Sequence, residues 1–429
     1  MIPIQEHNKI PYDSLKFQEV WKEGMRLTGQ DKGLDRWFFQ WQWQDPLSVF
    51  DREQRDERSG YYASYVVGAQ WFDKEKTMPL VVTTKHGCSR IDFLKLFSIC
   101  FHSGIASKEF SRIYDVDIEQ PRIKCPELNS VLSPLIVVHF VSIIKEIVKR
   151  GLKKNYVSKA DNLKKVKGRL DVFKNERINI IPKRYDKIYC RYQEYSENTL
   201  ENRLLKKALL FAKRMIDMES SCDTISSLTL TISQCLSAFT NVDAQIEVWE
   251  VKAVKHHKLF REYDDAIKLA QMILRRYDYN ITNITPAEHE YCPVFWVDMS
   301  LLYEHYVLGL LKEAYGDKIH YQKEGHTGKP DFICYEPLMV MDTKYIPRFD
   351  KNGIDTYIAR QLSGYARDRK LFGDRPMGNV PCVILYPKEG VKENPFKGKP
   401  LECLLEEEDG KLWNFHRIPI PLPVLNTIK

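Results

Sequence analysis

The spacing of apolar positions changes along this chain, and each change marks an element. Residues 61–72 and 78–84, rich in Val, Tyr and Thr, predict two strands joined by Asp73-Lys74-Glu75-Lys76-Thr77. Residues 91–101 place Phe93, Leu94, Leu96, Phe97 and Cys100 at helical spacing. A long helix is predicted from 134 to about 149. Gly151 marks its end, and Lys149 and Arg150 stand in the last turn, where the helix dipole favours cations. Residues 170–181 and 187–195 read as extended, 197–218 as a helix capped by Ser196, and 223–276 as helical and polar. Further on, Asp298-Met299-Ser300 opens a helix running to about residue 314, with Gly316 just past its end. Strands are predicted at 319–323, 331–335, 338–345 and 380–386, and a helix at 358–369 precedes the last of them. Helix, strands, helix, strand is an α/β order, within a chain that is α+β as a whole.

Composition adds bounds. The chain has 429 residues, 43% hydrophobic and 29% charged, which excludes a disordered chain and predicts two or three domains. The most apolar stretch, 135–148, is interrupted by His139 and Lys145, so no membrane span is expected. Residues 1–6 show no basic-then-apolar leader, so a cytoplasmic location is expected. The ten cysteines form no C-x-x-C pair and sit in apolar contexts, a pattern that favours buried thiols over disulfides or zinc. His289 with Cys292, and the His256-His257 doublet, lack the partner pairs a zinc site needs. Residues 1–60 are dense in Trp and charge, and the run 51–60 reads as a solvated loop or helix end.

The net charge of +7 is unevenly spread. Residues 145–187 hold 15 Lys/Arg against 5 Asp/Glu, so the rest of the chain is slightly acidic. Such a segment is either a solvated face or a phosphate-binding one; Lys164, Lys165, Lys167 and Arg169 are the candidate phosphate contacts.

Chemistry concentrates in the two strands around Glu336-Pro337-Leu338. With a turn there, they form a hairpin in which Asp331 faces Asp342 closely enough to share a metal ion. Asp342 and Lys344, two apart, project from one face of their strand; Thr343 points to the other and reads as structural, with its carbonyl within reach of the metal. Phosphodiester hydrolysis calls for such a set. Mg²⁺, or Mn²⁺ in its place, takes a few carboxylate oxygens plus water, and a lysine orients the attacking water and offsets phosphate charge. Glu304 interrupts an apolar stripe of Leu301, Leu308 and Leu311. It is either a third carboxylate of the site or an edge residue paired with a lysine such as Lys312. Gln361 and Tyr365 share a helix face, within reach of a phosphate or of the lysine. A lone D-x-K on a strand is usually a surface ion pair; the ordered set of helix Glu, Pro-Asp, hairpin, D-x-K and helix Q-x-x-x-Y is far more specific.

That set resembles the PD-(D/E)XK nuclease superfamily, in particular its branch with a Q-x-x-x-Y helix. Several segments resemble the McrC family: Arg150-Gly151-Leu152 with Tyr156, the stretch Leu163 to Asp171 with Gly168-Arg169-Leu170-Asp171, the stretch Tyr192 to Lys206 with Thr199-Leu200-Glu201-Asn202-Arg203, Asp298-Met299 with Glu304, Lys329-Pro330-Asp331, and Asp342-Thr343-Lys344-Tyr345. Together they cover about 140–390, while residues 1–60 match nothing in the family. The resemblance implies a C-terminal restriction-endonuclease-like core, a central mixed sheet flanked by helices, at 287–429. It is preceded by a mainly helical basic region at 131–286 and a strand-containing partner-binding domain at 1–130. It implies Mg²⁺ held by Asp331, Asp342 and Glu304, a water assisted by Lys344, and double-stranded DNA as substrate. It also implies a separate McrB-like AAA+ GTPase or ATPase hexamer that the chain stimulates, within a restriction or anti-phage system. The chain has no G-x-x-x-x-G-K-[ST] loop of its own, in line with that division of labour. Two other readings remain: a motor-activating, DNA-binding adaptor with a vestigial site, and a nuclease for RNA or single strands.

Overall fold

In the computed structural model, the described residues are 2–5, 25–26, 37–42, 60–71, 75–84, 91–102, 110–117, 120–125, 128–218, 223–251, 260–277, 291–346, 349, 354–373, 380–388, 391, 393–406 and 410–423. The charged run up to residue 59, His256-His257 and His289 lie outside them. The chain forms two compact units, one of residues 1–135 with 285–429, the other of 136–284. Residues 1–135 and 285–429 thus lie in one unit.

A shared sheet shows why. Its strand order is Ile2–Gln5, Pro79–Thr83, Val66–Trp71, Val294–Asp298, Tyr114–Asp117. Val294–Asp298, from the last third of the chain, pairs antiparallel with Val66–Trp71 on one side and Tyr114–Asp117 on the other. All five of its residues are buried, so the sheet is completed from both ends of the sequence. Asp298 then caps the helix Met299–Tyr315 by accepting from the Leu301 N–H at 2.9 Å. Gly316, at φ 57, ends that helix as expected. Gly309 within it lies against the helix Phe93–His102 so closely that a Cβ would stand 2.2 Å from the Ile99 carbonyl oxygen.

A second sheet orders its strands Ile319–Tyr321, Phe332–Tyr335, Leu338–Thr343, Cys382–Pro387, Phe415–Ile420. The first three are antiparallel and the last three parallel. The edge strand Phe415–Ile420 escapes sequence reading because His416, Arg417 and Pro419 break its apolar pattern, which an edge position tolerates. The helix Thr356–Ala366 covers one face, packing Ile358, Leu362 and Tyr365 on Ile333, Val340 and Ile384. The predicted helix at 358–369 stops early because Asp368 caps a separate turn, Arg369–Phe372, by accepting from the Lys370 N–H at 2.9 Å.

Unit 136–284 is mainly helical among its described residues but also holds a sheet. Three antiparallel strands, Arg169–Leu170, Ile188–Ser196 and Asn155–Leu163, form a sheet in which Cys190 alone is buried. The segment expected to be extended at 170–181 instead turns helical. Asp171 accepts from the Lys174 N–H at 3.1 Å to start Val172–Asn175, and a π-helical turn, Glu176–Ile180, follows. Buried Asn179 holds this turn to the sheet through reciprocal 2.8 Å amide bonds with Asn162. The helices Leu200–Met218, Asp223–Ala238 and Arg261–Tyr277 supply the apolar core. Ser196 does not cap the first of them: Thr199 does, its hydroxyl accepting from the Asn202 N–H at 3.3 Å. Asn202 is fully buried, donating to the Lys153 and Glu197 carbonyls at 2.9 and 2.7 Å and accepting from the Tyr263 hydroxyl at 2.9 Å. Lys206 donates to the carbonyls of Phe239 and Val242 beyond the end of the second helix. The motif around Thr199 to Lys206 thus ties local chain ends together.

Two sequence expectations change. The helix Asn129–Arg150 contains a segment, Val131–Arg150, long and apolar enough to cross a membrane by length and composition. Its side chains, among them Leu135, Val138, Phe140, Val141 and Ile144, are buried within the protein instead. The cysteines are not all free: Cys125 and Cys292 are disulfide-bonded, beside the two-residue pairing of Ile123–Lys124 with Tyr291–Cys292. A separation of 167 residues hid that pair from sequence reading.

Candidate active site

The strands Phe332–Tyr335 and Leu338–Thr343 form the expected hairpin, in register from Phe332↔Met341 to Tyr335↔Leu338, with Glu336-Pro337 at its tip. Continuing that register by one pair sets Asp331 opposite Asp342. Asp342 lies in a strand bordered by Cys382–Pro387 on its other side and is only 3% exposed. Asp331 is fixed from an unexpected direction. Its Oδ2 accepts from both the backbone N–H and the hydroxyl of Thr343, at 2.7 and 2.5 Å. Thr343 therefore serves the site rather than the far face. On the hairpin side the ladder ends at Met341, which leaves the Thr343 N–H for a side-chain acceptor.

Asp342 Oδ2 forms an ion pair with the Lys344 ammonium and has no hydrogen-bond donor beyond it among the described residues. Lys344 Nζ also donates to Gln361 Oε1 at 3.2 Å, and Gln361 Nε2 donates to the Tyr365 hydroxyl at 3.0 Å. Gln361 and Tyr365 thus act on the lysine in series. Gly328 fits the Lys329-Pro330-Asp331 approach against Tyr365: at φ 132, a Cβ there would stand 3.1 Å from the ring. Glu304 enters from the helix Met299–Tyr315, where its Oε1 accepts from Gln322 Nε2 at 2.7 Å. It is not paired with Lys312, whose ammonium lies 3.9 Å from Asp317.

The electrostatics are those of crowded carboxylates. Burial raises the Asp331 pKa well above the ordinary range, and the charges of Asp342 and Glu304 push it further; the Thr343 bonds oppose them. Burial likewise raises Asp342, against the pull of Lys344. It raises Glu304 too, with Gln322, His305 and Tyr321 opposing and Asp342 adding to the rise. Burial disfavours the charged lysine, but the Asp342 carboxylate outweighs it and leaves the Lys344 pKa above its usual value. Three acidic groups therefore crowd one ammonium, and ionising all three leaves a deficit of positive charge. A divalent cation beside Asp331 and Asp342 would correct it. Among the described residues, no three His, Cys, Asp or Glu side chains converge into a metal-holding group. An open arrangement of one or two carboxylates with water suits Mg²⁺ and not a closed zinc cage.

Of the residues singled out in the sequence, Glu304, Asp331, Asp342, Lys344, Gln361 and Tyr365 are brought into one interacting set. Lys164, Lys165, Lys167 and Arg169 belong to the other unit, all exposed. Lys167 is partly engaged there, 3.4 Å from Glu194 and 4.2 Å from the Tyr192 ring centre. Thr343 and Gln322 were missed as site residues: a Thr inside a strand and a Gln after one carry no signal of their own.

A sequence model described as "McrBC 5-methylcytosine restriction system component" matches residues 111–361. No curated protein matches the chain. Among solved structures, a refined half-complex from a tetradecameric assembly of Thermococcus gammatolerans McrB AAA+ hexamers with bound McrC is similar at 15% identity and a TM-score of 0.35. That match covers 100% of this chain and 96% of the other. A cryo-EM structure of the Thermococcus gammatolerans McrBC complex is similar at 14% identity and a TM-score of 0.30, covering 72% and 86%.

Proposed function

The chain belongs to the McrBC 5-methylcytosine restriction-system component family, and from that premise we propose that it is the system's Mg²⁺-dependent DNA endonuclease subunit, with a PD-(D/E)XK core. The carrying observation is the hairpin that sets Asp331 against Asp342 with Lys344 ion-paired to the latter. In this reading Asp331 and Asp342 hold the cation and Glu304 completes the acidic set. When bound, Mg²⁺ supplies a Lewis acid for the phosphodiester and its attacking water. Lys344, aimed by Gln361, orients that water and offsets charge on the scissile phosphate. Tyr365 fixes the Gln361 amide so that its oxygen, not its nitrogen, faces the ammonium.

Under the same reading, nucleotide hydrolysis belongs to an McrB-like AAA+ hexamer in the cytoplasm, since this chain has no P-loop. Val172, Phe173, Ile181 and Tyr185 each expose their side chains by at least 67%. The test is cleavage of plasmid DNA by the full chain with its motor. Mg²⁺ should support cutting, EDTA should stop it, and Asp342→Ala should not cut. Equal cutting by wild type and Asp342→Ala would remove the activity from this site.

Lys164, Lys165, Lys167 and Arg169 are proposed to contact DNA phosphates. Neutralising all four should weaken binding for every sequence and make the salt dependence shallower, by about 0.9 in the log–log slope for each phosphate no longer neutralised. An unchanged slope would return these residues to a solvated face. Because Lys167 is already engaged by Glu194, its share should be the smallest.

A further inference from the structure

Where the strand Ile319–Tyr321 ends, its last pairing is Tyr321↔Phe332. The next residue, Gln322, still donates its backbone N–H to the Asp331 carbonyl at 2.9 Å, but its φ of 44 lies in the left-handed region. Glycine or asparagine takes that conformation most readily, and a glutamine there is strained. Strain of this kind persists where surrounding contacts hold it, and here they lie at the candidate site. The Gln322 side-chain amide reaches Glu304 Oε1 at 2.7 Å. One residue thus grips two of the three acidic residues, Asp331 through the main chain and Glu304 through the side chain. Tyr321, one position earlier, adds its hydroxyl toward the same Glu304 carboxylate.

We propose that Gln322 is a positioning residue of the metal centre, holding the Glu304 carboxylate where it can meet, through bound water, a divalent cation taken by Asp331 and Asp342. This rests on the nuclease reading of the same site. Glu304 sits on a helix that otherwise buries Leu301, Leu308 and Leu311, so nothing apolar aims its carboxylate. An amide donor suits this position because it binds the ionised carboxylate without bringing a second positive charge into the site, as a lysine would. Hydrogen bonds from outside the ligand set orient metal-binding carboxylates, and their loss typically weakens metal affinity or activity about 10–100-fold.

Gln322→Gly separates this role from that of a turn residue. Glycine relieves the left-handed strain and keeps the backbone N–H to Asp331, so the full chain should melt at or above the wild-type temperature. If the amide positions Glu304, Mn²⁺ binding by the full chain, read as loss of the free-ion electron-paramagnetic signal, should weaken about 10-fold or more. The Mg²⁺ concentration that half-saturates cleavage should rise in step, with the KM for DNA unchanged. Gln322→Asn, whose amide is one methylene short, should fall between the two, and Gln322→Ala, which lacks the amide and keeps the strain, should be less stable as well. Wild-type Mn²⁺ affinity in Gln322→Gly would overturn the inference while leaving the nuclease reading intact, provided Asp342→Ala abolishes binding. If Asp342→Ala also binds and cuts like wild type, the reading of the site falls and this inference with it.

Discussion

Asp331→Asn is expected to abolish DNA cleavage and, in the absence of metal, to raise the melting temperature. Asparagine has nearly the shape of aspartate, and its carbonyl oxygen can still accept from the Thr343 N–H and hydroxyl. What it removes is charge. Asp331 is raised well above its ordinary pKa by burial and by Asp342 and Glu304, so ionising it costs stability in the folded chain. A carboxylate whose folded pKa is raised contributes stability below its unfolded value of about 3.9, and that contribution is lost as pH rises through the folded pKa. The metal-free wild type should therefore lose stability as the solution goes from acid toward neutral and alkaline pH, and the variant should lose less. Each kcal/mol of repulsion relieved should appear as a rise of about 2–4 °C. Cleavage should fall by more than about 100-fold, since even groups outside the ligand set cost 10–100-fold when lost. Melting in EDTA at pH 5 and pH 8, beside a cleavage assay, checks both halves. Mg²⁺ should then stabilise the wild type more than the variant. A variant that cuts normally, or that melts lower than wild type at pH 8 in EDTA, contradicts the assignment of Asp331 to a charge-crowded metal site.

Lys344→Met is expected to lower the single-turnover cleavage rate by about 10²–10⁴-fold, the usual worth of a positioned proton-handling group, while cation binding survives. Methionine keeps most of the stem that packs beside Asp342 and removes only the ammonium. Asp342 then loses the partner that holds its pKa down, so any residual activity should move to higher pH. Lys344→Arg should not restore the rate: a planar guanidinium does not replace a compact ammonium seated between Asp342 and the Gln361 carbonyl. Parallel loss of Mn²⁺ binding and cleavage in Lys344→Met would make the lysine a scaffold for Asp342 rather than a participant in the reaction.

The hairpin was legible because everything that defines it is local. Two apolar runs, a Glu-Pro turn, and carboxylates at fixed offsets from it suffice to set the register. The helix at Met299–Tyr315 was legible for the same reason, with Asp298 before it and Gly316 after it. The turn at 172–180 was misread as extended because its Val, Phe and Ile residues favour strands, while the Asp171 cap and the Asn162–Asn179 amide pair decide otherwise. Those bonds join residues up to 17 positions apart, beyond the reach of local pattern.

By itself the sequence determined which residue types could do chemistry here and their order along the chain: Glu304, Asp331, Asp342, Lys344, Gln361 and Tyr365. Periodicity and capping are short-range, so they survive in one dimension. The tertiary structure alone decided how those groups are held. It turned Thr343 onto Asp331, gave Glu304 to Gln322 instead of Lys312, and set Gln361 between Lys344 and Tyr365. It also joined residues 1–135 and 285–429 into one unit by placing Val294–Asp298 between two strands of the other segment. The reason is common to all of these. A buried carboxylate or backbone edge takes whichever donor the fold brings within about 3 Å, and that donor's position in the sequence is unconstrained.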